Sequence, residues 1–102
     1  MNLLNIVNKS PFERSVLDSC LRLAQPGAAI LLIEDGVYAA LKNTTKSKMI
    51  KNCQTQLQFY ALHADLEMRG ILAPNIIERV KIIDYGGFVD LVEEYDSVHS
   101  WL

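Results

Sequence analysis

An α/β fold with a mainly parallel sheet follows from three observations on this sequence. Residues Ala28 to Ile33, AAILLI, form an unbroken apolar run. A run of that length without alternation reads as a strand buried on both faces, as in the middle of a parallel sheet. It stops at Glu34-Asp35-Gly36, which supplies a turn and a helix start. Strand-like and helix-like segments then alternate along the chain with short connections, the order that builds a parallel sheet with helices on both faces. The expected architecture is a four- or five-stranded, mainly parallel sheet in one domain spanning residues 1–102.

The elements follow in order. Leu3 to Val7 is a first strand. Ser10-Pro11-Phe12-Glu13 reads as a helix start, with Ser10 at the N-cap, Pro11 at the first helical position and Glu13 closing a capping box. That helix is predicted to run to about Gln25, where Pro26-Gly27 ends it. Ala28 to Ile33 is the second strand and the central one. Asp35 is predicted to cap a short helix over Gly36 to Leu41. A polar, lysine-rich segment from Lys42 to Lys48 leads into a helical turn up to Cys53. Leu57 to Leu62 is the third strand, followed by a short helix from His63 to Arg69 that Gly70 stops. Leu72 to Glu78, with Pro74, reads as a loop. Val80 to Ile83 is the fourth strand, and Asp84 caps a last helix from Tyr85 to about Tyr95. The tail from Ser97 to Leu102 can add an edge strand.

Composition narrows the function classes. Half of the 102 residues are hydrophobic, which is rich for so short a chain. Either both sheet faces are covered, or some apolar surface meets another subunit. The formal net charge of −2 gives no broad footprint for nucleic acid. No apolar run approaches the roughly 18 residues of a membrane span. The N-terminal segment lacks a basic region before its apolar run and reads as a strand rather than a signal peptide. There is no GxGxxG and no P-loop, so no cofactor is expected. Cys20 and Cys53 are the two cysteines; they make no disulfide framework and no CxxC pair. A cytoplasmic chain with reduced thiols is the expectation.

Several stretches taken together carry a resemblance. They are Ser10-Pro11-Phe12 after the first strand, EDGVYAAL at Glu34 to Leu41, YALHADLEMRG at Tyr60 to Gly70, IDYGGFV at Ile83 to Val89, and Trp101. In this order and spacing, over nearly the whole chain, they resemble the DsrH/TusB family of small sulfur-relay subunits, within the DsrE-like superfamily. The stretch from Asn8 to Leu21 resembles DsrH more than TusB. The resemblance implies a flavodoxin-like, DsrE-type fold. It also implies assembly with two paralogous subunits, DsrE/TusD-like and DsrF/TusC-like, into a heterohexamer that relays protein-bound persulfide to a DsrC/TusE-like acceptor. Relatives of this kind serve either 2-thiolation of the tRNA wobble uridine or dissimilatory sulfur oxidation. Membrane association and direct nucleic-acid binding are not implied. The main persulfide cysteine of such an assembly lies on the DsrE/TusD-like partner. DsrH-type chains also have a cysteine on the first helix, which here is Cys20.

Two readings of Cys20 stand side by side. A persulfide carrier needs an accessible thiolate. The same-face helical neighbours of Cys20 are Val16, Leu17, Leu23 and Ala24, which disfavour the thiolate and suit a small buried hydrophobe. Cys53, near Lys48 and Lys51, is expected to be an exposed thiol whose lysine neighbours favour ionisation. Asp35, Asp65 and Asp84 fall near strand ends that share one sheet edge. Helix capping explains them better than a metal site, so no metal is expected. His63 is read as a loop or capping residue, and Lys42, Lys46, Lys48 and Lys51 as a solvated face. Tyr38 follows the central turn and can line a groove there. The chain is thus either a non-catalytic or sulfur-carrier subunit of a relay complex, or a stand-alone homo-oligomeric α/β binding or regulatory module without sulfur chemistry.

Overall fold

The computed structural model describes residues 3–101. Its strands are β1 (Leu3–Val7), β2 (Ala29–Leu32), β3 (Gln58–Leu62), β4 (Lys81–Ile83) and β5 (Ser97–Trp101). The helices are α1 (Val16–Leu23), α2 (Ser47–Cys53), α3 (His63–Met68) and α4 (Tyr85–Glu94), with 3-10 turns at Glu34–Ala40 and Ala73–Asn75. The sheet order is β4-β3-β2-β1-β5, and every neighbouring pair is parallel. The apolar run is the middle strand, and all four residues of β2 are buried. The tail does add an edge strand, β5, beside β1. Leu102 lies outside the described residues.

The chain path decides which face each helix covers. From β1 to β4 the strands are added in one direction, so right-handed crossovers place α1, α2, α3 and the longer 3-10 helix on one face. The step from β4 to β5 reverses past β1, and α4 lands on the other face. Two apolar clusters result. The larger joins Leu17, Cys20, Val37, Ile50 and Leu66 to the inward side chains of Val7, Ile30, Leu32, Phe59 and Ala61. The smaller packs Leu91 and Phe88 of α4, and Tyr95 just after it, onto Leu4, Leu31 and Tyr60. One ten-residue helix covers that second face. Its outer side carries Tyr85, Val89 and Val92, all exposed, at the i, i+4, i+7 spacing of a single stripe.

The first helix starts later than its sequence signals predict. Ser10 does accept backbone hydrogen bonds, but those of a turn. Its carbonyl takes the amides of Glu13 (3.3 Å) and Arg14 (3.1 Å), and its hydroxyl takes that of Phe12 (3.2 Å). The turn satisfies the donors that a helix would have left open, and Pro11 becomes buried. The helix proper begins after Ser15. The predicted loop over Leu72 to Glu78 contains a 3-10 turn and pairs back on the chain. Lys42 donates to the Asn75 carbonyl and Ile77 to that of Ala40, each at 2.8 Å.

The β5 edge is tied down by a polar contact inside the sheet. Asn5, in the middle of β1, is buried; its amide donates to the Ala29 carbonyl (3.3 Å), and its Oδ1 accepts from Trp101 Nε1 (3.0 Å). His99 stacks on the Trp101 ring with centroids 4.6 Å apart. Removing the indole N–H would leave the Asn5 oxygen unpaired in the interior. Trp101→Phe is therefore expected to cost about 1–3 kcal/mol, read as a lower urea midpoint by circular dichroism. Val98→Thr, at an exposed site on the same strand, should stay within about 0.5 kcal/mol of the parent. Equal midpoints for the two variants would remove the hydrogen bond from the account of how β5 is held.

Candidate functional site

The carboxyl ends of the parallel strands share one rim, the usual place for a site in open α/β sheets. At its centre the chain leaves β2 and turns at once into the 3-10 helix. Ile33 donates its amide to the Val7 carbonyl (3.0 Å), so the turn is pressed against the end of β1. Gly36 is what permits this. A Cβ there would collide with the Val7 carbonyl oxygen and stand 3.0 Å from the carbonyl carbon.

The acids on this rim behave differently from one another. Asp84 caps its own helix, accepting from the Gly87 amide at 2.8 Å, as its position predicts. Asp65 caps a neighbour instead: its Oδ2 accepts from the Glu34 amide (2.8 Å), closing the start of the 3-10 helix. Asp35, predicted as that cap, is replaced there and pairs with a base. Arg69 Nε (3.0 Å) and Nη2 (2.9 Å) both donate to Asp35 Oδ1. Arg69 Nη1 donates to the Asp65 carbonyl (3.0 Å) and lies 3.7 Å from the Asp65 carboxylate. The guanidinium stands over the Tyr38 ring, 5.9 Å from its centroid. One arginine thus links the end of α3 to the turn after β2. Arg69 was not singled out from the sequence, although its i,i+4 spacing from Asp65 is a legible signal. Asn8 completes the cluster, its Nδ2 donating to Glu34 Oε1 at 3.4 Å.

This rim is electrostatically closed. Its carboxylates are engaged by Arg69, by backbone amides and by the Asn8 side chain, and the arrangement holds elements in place rather than supplying a nucleophile. Among the described residues no group of three or more His, Cys, Asp and Glu is placed to hold a metal ion. His63 lies exposed at the end of β3, with Nε2 3.8 Å from Glu67 Oε2, and lines an open cleft with Asp84. The lysines divide: Lys46 pairs with Asp18 of α1 at 3.3 Å, while Lys48 and Lys51 are exposed.

The thiols lie away from the rim, on the helices of the larger cluster. Cys20 has no exposed surface, and burial pushes its thiol up from the ordinary 9.0 to about 12. Cys53 is half-buried against the same cluster, and burial raises its pKa as well. The expectation that lysines favour a Cys53 thiolate is thus corrected, because desolvation outweighs charges that sit in water. A protonated Cys20 favours the folded state. That contribution is complete below the unfolded thiol value and is lost as pH rises through about 12. Tyr95, also pushed up to about 12, chiefly by burial with Tyr60 and Glu94 adding to it, acts in the same direction. Stability should therefore fall from about pH 9 upward. At neutral pH, iodoacetamide should label Cys53 first and Cys20 only after urea unfolding. Rapid labelling of Cys20 in the native chain would show that α1 opens.

Solved structures with the same fold define the class. The crystal structure of the ychN protein from E. coli superposes with a TM-score of 0.87 at 19% identity, covering 98% of each chain. The solution structure of protein Tm0979 from Thermotoga maritima gives 0.67 at 28% identity, over 92% of this chain and 93% of the other. These likenesses show that the fold, an α/β structure on an all-parallel, five-stranded sheet in this chain, is shared with solved proteins.

Sequence relatives narrow the class further. Protein TusB of Serratia proteamaculans is 35% identical over 99 residues, covering 97% of this chain and 100% of the relative. Protein TusB of Pectobacterium parmentieri is 34% identical over 100 residues with the same coverage. The family described as DsrH like protein matches residues 9–98. The chain belongs to the DsrH/TusB family of sulfur-relay subunits.

Proposed function

We propose that this chain is an architectural subunit of a cytoplasmic sulfur-relay complex serving tRNA wobble-uridine 2-thiolation. Its partners in this reading are TusC/DsrF-like and TusD/DsrE-like paralogues in a heterohexamer, with a TusE/DsrC-like protein as acceptor. The observation that carries the architectural role is the closure of Cys20: a thiol with no exposed surface and a pKa near 12 neither attacks a sulfur donor nor presents a persulfide. Full-length similarity to proteins named TusB supports the tRNA branch over sulfur oxidation. The exposed apolar stripe Tyr85, Val89 and Val92 supports a working form in which this face meets another subunit. Sulfur then rides on the partner's cysteine, and Cys20 becomes a carrier only if assembly opens α1.

The test is co-expression with the two paralogues, then intact-mass analysis after exposure to polysulfide. The expected result is a co-purifying complex in which the mass of one added sulfur appears on a paralogue and not on this chain. A clean monomer that ignores both paralogues would sink the assembly. An added sulfur on this chain that disappears in Cys20→Ala would make Cys20 the carrier and end the purely architectural role.

A further inference from the structure

The amino ends of β3 and β4 form the opposite rim of the sheet from Arg69. Two adjoining clefts of about 220 and 270 Å³ open there. Gln54, Gln58, Arg79 and Lys81 line the first; Lys51 and Glu78 join Gln54 and Arg79 at the second. Because Gln54 and Arg79 belong to both, the clefts make one groove. Lys51 and Arg79 meet a single carboxylate, Glu78, in it, and Lys81 lines its edge with its ammonium over Tyr60, so the groove is locally positive in a chain of net charge −2. Among the described residues Lys51, Arg79 and Lys81 form no ion pair; Lys81 only stands 5.9 Å from the centroid of the Tyr60 ring. Gln54 is fixed by its bond to the Glu78 carbonyl (2.9 Å).

The backbone adds a second observation. Arg79 has φ +70, a left-handed conformation that costs a residue with a Cβ about 1–2 kcal/mol and glycine almost nothing. Its neighbours Ile77 and Val80 are buried, and the Val80 amide closes the turn on the Ile77 carbonyl (3.2 Å). The turn is therefore set by the core, and its tip carries a guanidinium where glycine would be easier. Sites of local strain of this kind are retained where the side chain has a use.

We propose that this groove docks an acidic segment of a partner protein. The Arg79 fork takes a carboxylate in two-pronged fashion, Lys51 flanks it, and Lys81 and Gln58 stand at the edge of the groove. A protein segment suits the site better than RNA. Two cations with Lys81 at the edge make one short groove, whereas backbone phosphates are tracked by an extended basic stripe. This inference concerns a different rim from the relay reading and does not depend on it.

The test is fluorescence anisotropy of the full chain with a labelled Glu-Gly repeat peptide, and in parallel with a labelled oligouridylate of equal charge, at about 0.1 M salt. The peptide is expected to saturate. Arg79→Gly should weaken it about tenfold while leaving the melting temperature equal or higher, because glycine relaxes the turn. Lys51→Gln should weaken binding, and Glu78→Gln should tighten it. The proposal is overturned if the peptide does not saturate or if Arg79→Gly binds as tightly as the parent. Tighter binding of the oligouridylate would also overturn it, in favour of a nucleic-acid surface.

Discussion

Gly36→Ala is expected to destabilise the fold by about 3 kcal/mol or more, the upper range for forcing a carbon into a packed site. The obstacle is backbone, not a side chain that can rotate away: the new Cβ meets the carbonyl of Val7 at the end of β1. Relief requires the 3-10 helix to move off the strand. That would disturb the Ile33–Val7 bond, the Asp65 cap on Glu34 and the Asp35–Arg69 pair together. Urea unfolding followed by the fluorescence of Trp101, the sole tryptophan, should show a lower midpoint. Gly70→Ala is the informative companion. Gly70 has φ +66 but nothing within 4 Å of a new Cβ, so its cost should be only the conformational one, about 1–2 kcal/mol. If Gly36→Ala unfolds no earlier than Gly70→Ala, the close approach of helix to strand is not what makes the position glycine.

Phe59→Ala should be at least as damaging, about 3–5 kcal/mol. Phe59 is 1% exposed and heads the fully buried side chains. It projects from β3 into the larger cluster, beneath the helices of that face. Against a total stability on the order of 5–15 kcal/mol, the loss brings the chain close to unfolding at room temperature. Phe59→Leu keeps most of the volume and should cost less than about 1.5 kcal/mol. Thermal melting by far-UV circular dichroism separates the two. Similar melting temperatures for both variants would mean that the site collapses around the missing ring.

Much of the fold was legible in the chain because the signals are local. The run from Ala28 to Ile33 is apolar on both sides of the strand, and only a central position in a sheet covers both. Asp84 precedes a glycine pair and a helical pattern, and its carboxylate reaches the Gly87 amide within the same turn. Gly70 ends α3 with the positive φ that glycine tolerates. The start of the first helix misled, because Ser10-Pro11-Phe12-Glu13 suits a turn as well as a helix cap. Only the packing of Pro11 into the interior distinguishes the two.

The sequence by itself determined the mainly parallel α/β architecture, its central strand and the family, and left room for a late edge strand. The architecture rests on residues whose physical preference is satisfied by their near neighbours along the chain; the family rests on the likeness of motifs in order. Tertiary structure alone decided that Asp65 and not Asp35 caps the turn after β2, that Arg69 ties α3 to that turn, and that Asn5 meets Trp101 across the sheet. It also decided that Cys20 is closed. These depend on partners 31, 34 and 96 positions apart, or on the total burial of one thiol. No local propensity encodes such pairings, because they exist only once the crossovers have set the strand order and the faces.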